Sequence, residues 1–323
     1  MTQPTNTYSR YTAATNVRED LIDKITQTNP EQTPVVSSFG TGTATNTLHE
    51  WQRDNLRAPN ANNAAIDGDD ATGTAKTPPL RVANICQIFQ DTIITSDRAN
   101  KVKKAGMRTA AAYFKAKAYK ELQRDQEAMT VSSNPAVVGN NALAAKSGGL
   151  GVLIYTNAQH GVGGSTSAHT SGAPTVAPVA GTPRAFTEPL LKAGIQATYI
   201  ASGITPPMVV LSPAHKSVFS TFAGIAVNRY QVSKKEQGRI IGGADVYMSD
   251  FGELEIVPNY VMAGSTNVFL LNPEYGDTVY LRSFQATELG KTGDSMKEQV
   301  LVDATVRVTS ELAQSKIADL SGG

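Results

Sequence analysis

The sequence predicts an α+β fold on three observations. First, "SDRANKVKKAGMRTAAAYFKAKAYKELQRDQEAM" (96 to 129) is dense in helix formers and sets Met107, Ala111, Phe114, Ala118 and Leu122 on one apolar stripe. Second, Val300, Val302, Ala304, Val306 and Val308 alternate with Leu301, Asp303, Thr305, Arg307 and Thr309, the period of a strand with one buried face. Third, capped helical runs and short apolar strands mix from residue 186 onward, the texture of a compact α/β layer.

Residues 1–46 are rich in Thr, Asn and Pro, with one amphipathic piece, "VREDLIDKITQ", in which Val17, Leu21 and Ile25 fall at i, i+4 and i+8. The remainder is too polar to fold alone, so an extended arm is expected. Two strand-like stretches follow, "TLHEWQRDNLRA" (47 to 58) and "PLRVANICQIFQDTIIT" (79 to 95), on either side of the polar tip "PNANNAAIDGDDATGTAKTP". Paired along their length, such arms would reach roughly 50 Å at about 3.3 Å per residue, well beyond their own core.

Ser96 or Asp97 can cap the helix over 96–129, which at 1.5 Å per residue is expected to run about 48 Å. Between Asp97 and Ala128 it carries nine Lys/Arg against four Asp/Glu, a net of +5. That excess is either a solvated face or a basic rail for an acidic partner such as the "IDGDD" of the tip. Residues 147–183 contain no charged side chain and are rich in Gly, Ser, Thr and Pro. A short strand, "GVLIYT" (151 to 156), is expected to open them, with His160 and His169 as solvated loop histidines, since no carboxylate or cysteine accompanies them as a metal site needs.

Thr187 can then cap "EPLLKAGIQATYIAS", with Pro189 in its first turn and Gly203 as its stop. "MVVL" (208 to 211) reads as a buried strand and Ser212-Pro213 as a helix start with Val218, Phe219 and Phe222 facing inward. "ADVYMSDFGELEIVPN" reads as a hairpin, "NVFLLN" and "TVYLRSF" as strands, 298–309 as a long strand, and "SELAQSKIADL" as a closing turn or two of helix.

Composition narrows the function classes. The formal net charge is +1, which leaves no global pull toward nucleic acid or a membrane surface. A charged fraction of 18% is low and suits a surface largely covered by neighbours. The single cysteine, Cys86, excludes an internal disulfide and reads as a buried, inert side chain. No signal-like h-region or long apolar span occurs, so a cytosolic protein is expected. "ELGKTGD" (288 to 294) ends like a phosphate-binding loop, but Gln285 stands where the first glycine belongs and the flanks read strand, turn, strand. No HExxH, GxSxG or SxxK arrangement is present, and Asp69-Asp70 sit in a tip where nothing desolvates them. No catalytic site, cofactor or metal is expected. Lone Trp51 reads as an anchor in a packed contact.

The order of parts, a polar arm, a protruding hairpin, a long helix, an α/β layer and a returning strand, resembles the major capsid protein of tailed double-stranded-DNA phages. Encapsulins and the floor of herpesvirus shells share that fold. The resemblance rests on "NPEQTPVVSSFG…NTLHEWQRDNL", with Asn29, Pro30, Thr33, Pro34, Glu50, Trp51, Asp54 and Leu56, and on "LRVANICQI". It also rests on "VYMSDFGELEIVPNYVM…FLLNP…LRSFQATELGKTGD…ELAQSKIADL", with Asp250, Phe251, Gly252, Pro258, Asn259, Arg282, Thr292, Gly293, Asp294 and Glu311. The neutral stretch 157–183 departs from the pattern, and "IDGDD" lacks the glutamate expected before its glycine.

The resemblance implies an N-terminal arm (1–46), an extended loop lying across a neighbour (47–92), and a peripheral domain with its spine helix (93–150). It further implies an axial domain (151–290) with a variable loop (157–183), and a return strand to the peripheral domain with the C-terminus (291–323). The implied function is a shell protein that self-assembles as pentamers and hexamers into an icosahedral head around double-stranded DNA, touched without sequence specificity. The implied partners are a portal and separate scaffold or decoration proteins, with assembly in the bacterial cytoplasm and no membrane contact. An encapsulin-type compartment is the nearest alternative, and a nucleotide-binding enzyme using Lys291 the alternative from another class. Candidates for contacts between subunits are Trp51, Arg53, Asp54, Arg57, Asp67, Asp69, Asp70, Lys76 and Arg81 on the hairpin, and Lys103, Lys104, Arg108 and Lys115 on the helix.

Overall fold

The computed structural model describes residues 24–27, 29–68, 70, 73, 75–222 and 246–322; Val17, Leu21 and Asp69 lie outside the described residues. In chain order the elements are α1 (Pro34–Ser38), β1 (Gly40–Thr43), β2 (Leu48–Arg53), β3 (Leu80–Ile85), β4 (Gln87–Ser96), α2 (Asp97–Lys101), α3 (Ala110–Thr130) and α4 (Leu150–Leu153). Then come β5 (Ala158–Gln159), β6 (Ala168–Thr170), β7 (Ala173–Val176), α5 (Glu188–Ser202), β8 (Met208–Leu211) and α6 (Pro213–Phe219). The last are β9 (Val246–Ser249), β10 (Gly252–Pro258), β11 (Val268–Leu271), β12 (Gly276–Leu289), β13 (Ser295–Val308) and β14 (Ser315–Ile317).

Two larger sheets organise the chain, a four-stranded one in the order β1-β12-β13-β4 and a six-stranded one in the order β5-β14-β11-β8-β10-β9. The six-stranded sheet is a middle layer. Met208 and Val210 of β8 face one hydrophobic cluster while Val209 and Leu211 face the other, and Phe269 and Leu271 of β11 oppose Val268 and Leu270 in the same way. Burial on both faces is why these strands read as unbroken apolar runs. Leu191 and Ile195 of α5 and Phe219 of α6 cover one side. The second cluster continues through Leu150 and Ile154 to Ala118 and Leu122 of α3 and to Val300, Val302, Ala304, Val306 and Val308 of β13. The alternation expected for 300–309 is therefore present, with Asp303 and Thr305 buried on its other face as well.

Of the three expected caps, Ser96 accepts from the Ala99 N–H and Ser212 from that of His215, whereas Thr187 makes no side-chain cap bond at the start of α5. Gly203 stops α5 with φ 72°, a left-handed conformation that glycine adopts without steric cost.

Several expectations are corrected. The single helix over 96–129 is two, with α3 only 21 residues long, about 31 Å. Gly106 sits at φ 75° in the break, a backbone geometry that no helix continues through. Phe114 is half exposed, and Val218 likewise points away from the core. The hairpin pairs only from Leu48↔Ile85 to Arg53↔Leu80, about 20 Å rather than 50 Å, because the chain breaks pairing at Cys86 and sends β4 to β13 instead. "GVLIYT" holds the helical turn α4, since a short, wholly buried apolar run fits either state. β12 lies in the four-stranded sheet beside β13, and β14, where a closing helix was expected, adds to β11 of the six-stranded sheet.

Candidate functional site

Two limbs leave the body, and buried polar groups hold the root of each. The arm enters through α1, a helix of five residues whose N-cap residue, Thr33, makes no side-chain cap bond. Glu127, near the end of α3, supplies the missing acceptor. The N–H groups of Val35 and Val36 donate to its two oxygens at 3.0 and 2.8 Å, and Asn259 Nδ2 donates at 2.6 Å. Glu127 is fully buried, and that burial raises its carboxyl above the ordinary range even though all three donors pull it down. After α1, Phe39 packs beneath Gly276, and β1 pairs parallel to β12.

The hairpin root is held by Asn84, Arg53 and a loop. Asn84 sits among the apolar residues of the buried half of β3 and satisfies its whole amide: Nδ2 donates to the carbonyls of Gly148 and Val306, and Oδ1 accepts from Ile85 and Gly148. Arg53 pairs with Glu311 at 3.0 Å and donates to Tyr155 Oη at 2.9 Å, while Glu311 also accepts from Thr156 N–H at 3.1 Å. Only 11% of the Arg53 side chain and 4% of that of Glu311 is exposed, so the pair is buried. The β6–β7 hairpin of the 157–183 loop then braces β3 through the bond from Ala83 N–H to the Gly172 carbonyl at 2.9 Å.

Beyond these roots, every described residue from 54 to 79 is exposed, including Leu56 at 100% and Ile66 at 78%. The candidate contact residues divide accordingly. Asp54, Arg57, Asp67, Asp70, Lys76, Arg81, Lys103 and Arg108 are exposed, with Arg81 near Glu50 at 3.6 Å. Trp51 and Arg53 instead contact their own chain, Trp51 against the core and Arg53 on Glu311, because β2 lies at the root of the hairpin. Lys115 is engaged by Glu298 at 2.9 Å, and Lys104 donates to the Ala99 carbonyl.

His160 and His169 are not solvated. His160 Nδ1 lies 3.2 Å from Asp319, and His169 packs against Tyr155 with 4.4 Å between ring centroids and the rings tilted by 58°. Burial lowers the pKa of both. Lys316, only 1% exposed, donates to the Gly151 carbonyl, and burial lowers its pKa to about 8 against the pull of Asp319 and Glu311. Cys86 is buried, with its thiol pushed up to about 11 by burial and then by Asp303, so it is a packing residue. The Gly290–Lys291–Thr292 turn joins β12 directly to β13, and Lys291 pairs with Asp97. A phosphate loop needs a helix where β13 stands.

Sequence reasoning missed Glu127, Asn84, Gly172 and Lys316. For Asn84 the signal was present, as a polar residue inside "RVANICQI".

The sequence profile of the family described as SU10 major capsid protein matches residues 3–321. The major capsid protein of Escherichia phage Phieco32 is 24% identical over 332 residues, covering 91% of this chain and 92% of that protein. The capsid asymmetric unit of Cyanophage A-1(L) has a similar fold, with a TM-score of 0.65 at 14% identity over 97% of this chain and 100% of that one. The encapsulin of Synechococcus elongatus PCC 7942 follows at 0.54 and 9%, over 97% and 96%. The likeness to the solved structures establishes the fold, and a family match running almost end to end establishes the lineage: the chain belongs to the SU10 major capsid protein family.

Proposed function

We propose that this capsid protein builds its shell by laying the exposed 54–79 segment across a neighbouring copy, where the acidic residues Asp67 and Asp70 meet the exposed cations Lys103 and Arg108. One observation carries the reading: the hairpin is locked at its root by buried bonds, while its described tip is exposed throughout, two large apolar side chains included. A surface of that kind gains its burial from another molecule. Surface ion pairs are worth at most about 1 kcal/mol each. A subunit held by several neighbours needs no more, because every contact already made raises the effective concentration for the next.

The four-stranded sheet with α3 corresponds to the peripheral part, and the six-stranded sheet with α5 and α6 to the part that gathers around five-fold and six-fold axes. Double-stranded DNA fills the interior without sequence-specific contact. A portal and separate scaffold or decoration proteins complete the head in the host cytoplasm.

Deleting residues 60–75 tests the role of the loop. The expected product is a folded subunit that forms no closed shells under the electron microscope; normal shells would refute it.

A further inference from the structure

A cleft of about 130 Å³ opens where the 157–183 loop meets β14. Val179 stands exposed on its rim, while His160, Lys316 and Asp319 line it with side chains more than nine-tenths buried. Two of the three keep hydrogen-bonding capacity that no described residue uses. His160 Nε2 is shielded and without a hydrogen-bond partner, on a side chain only 8% exposed. The other side of the ring sets its tautomer. Nδ1 lies 3.2 Å from Asp319 Oδ2, and a carboxylate only accepts, so Nδ1 holds the proton and Nε2 presents a lone pair. Lys316 has the opposite need. Of its three N–H groups, one finds an acceptor among the described residues, the Gly151 carbonyl. Buried groups left in this state cost stability, so both point to a ligand.

Charge, size and hydrogen bonding define what that ligand is. Lys316 and Arg184 bring two positive charges to bear on His160 against one negative charge from Asp319, and Glu311 is matched by Arg53. Arg184 bonds to the carbonyls of Gln159 and Ala318 and to no carboxylate among the described residues. The surplus is one positive charge, which a small anion balances. Asp319 does not exclude it as a bare carboxylate would, because its Oδ2 already accepts from the Gly161 N–H at 2.9 Å. At about 30 Å³ for each water, the cleft has room for roughly four oxygens, which suits a tetrahedral oxyanion and not a nucleotide. Asn267 Nδ2 donates to Ser133 Oγ at 2.9 Å, which leaves the Ser133 hydroxyl hydrogen for one of those oxygens. The anion must also carry a hydrogen of its own, since Nε2 can only accept. A metal ion is the wrong occupant: no group of three metal-ligating side chains occurs among the described residues, and the Lys316 ammonium repels a cation.

We propose that this cleft binds inorganic phosphate in a protonated form, its oxygens accepting from Lys316 and Ser133 and its hydroxyl donating to His160 Nε2. Bound there, the ion bridges the 157–183 loop to β14, and the same loop braces β3 at Ala83.

The test titrates inorganic phosphate into the full-length chain near neutral pH at constant ionic strength, following the heat of binding and the thermal unfolding midpoint. A ligand of five heavy atoms binds no more tightly than about micromolar, so the titration runs from about 1 μM to about 10 mM. A saturating rise in the midpoint is expected, with one ion bound per chain. Sulfate has no hydrogen at this pH to give Nε2 and is expected to bind at least about tenfold more weakly. Lys316→Met should abolish the phosphate response, and the paired surface substitutions Lys103→Gln and Arg108→Gln should leave it intact. Equal responses to phosphate and sulfate, or a response that survives Lys316→Met, would reduce the effect to ions on surface cations and overturn the site. So would the absence of any saturable response to phosphate. Should Lys316→Met fail to fold, the contrast between phosphate and sulfate on the parent chain decides alone.

Discussion

The carboxylate of Glu127 holds the main-chain N–H of Val35 at 3.0 Å, joining α3 to a residue 92 positions earlier in the chain. Because α1 lacks a side-chain cap of its own, this carboxylate stands in for one, and it does so buried and with no cation paired to it among the described residues. Glu127→Ala leaves three donors without their acceptor, so a loss of about 3 kcal/mol is expected. Urea unfolding gives the cost. Limited proteolysis locates it: cleavage ahead of residue 40 should accelerate far more than cleavage elsewhere, and a uniform acceleration would show that the arm was not what the residue held.

Arg53 and Glu311 form the equivalent clamp for the hairpin. Arg53→Ala strands a buried carboxylate and is expected to cost about 3–5 kcal/mol, most of it the penalty of the unpaired charge. Adding Glu311→Gln should therefore recover much of the loss. A double-mutant cycle in denaturant measures the coupling, and additive losses would mean that the pair is screened.

Lys316 predicts a pH dependence. Its folded-state pKa is about 8 against an ordinary 10.5, so between those values the unfolded chain holds a proton that the folded chain has released. Stability from this group therefore rises as pH climbs from 8 to 10.5, by about 3 kcal/mol in full. Other groups titrate in the same range, so the readout is the difference between the parent and Lys316→Met. That difference should change across the window, and parallel curves would place the ammonium in contact with water.

How much of this was legible in the sequence follows from what each signal depends on. The alternation of β13 and the caps at Ser96, Ser212 and Gly203 are local and were readable. The break at Gly106 carried a visible glycine, yet the helix formers on both sides outweighed it until the packing of Ile25 showed why the chain turns there. The family pattern pointed to Asn259 and Glu311. Their partners, Glu127 and Arg53, are set by tertiary contacts 132 and more than 200 residues away, which no local periodicity encodes. His160 and His169 looked solvated among glycines and serines because nothing local reveals that Asp319 and Tyr155 close over them.

Gly172 offers the sharpest test of the brace between the 157–183 loop and the hairpin. Its φ is 84°, a region in which an L side chain costs about 1–2 kcal/mol, and a Cβ would lie 2.5 Å from the Arg81 carbonyl oxygen and 3.2 Å from Val82 Cα. Both obstacles are main chain, so neither can move aside as a side-chain tip would. Gly172→Ala should therefore push β7 away from β3 and break the bond from Ala83 N–H to the Gly172 carbonyl, at a cost of about 2 kcal/mol or more. Hydrogen exchange at Ala83 should quicken while that in β8 and β11 stays slow, since the six-stranded sheet does not depend on this contact. Shells from such a chain should form with lower yield, because the hairpin leaves the body at a less fixed angle. Unchanged exchange at Ala83 would show that the loop yields instead, leaving Asn84 and Arg53 to set the direction of the hairpin.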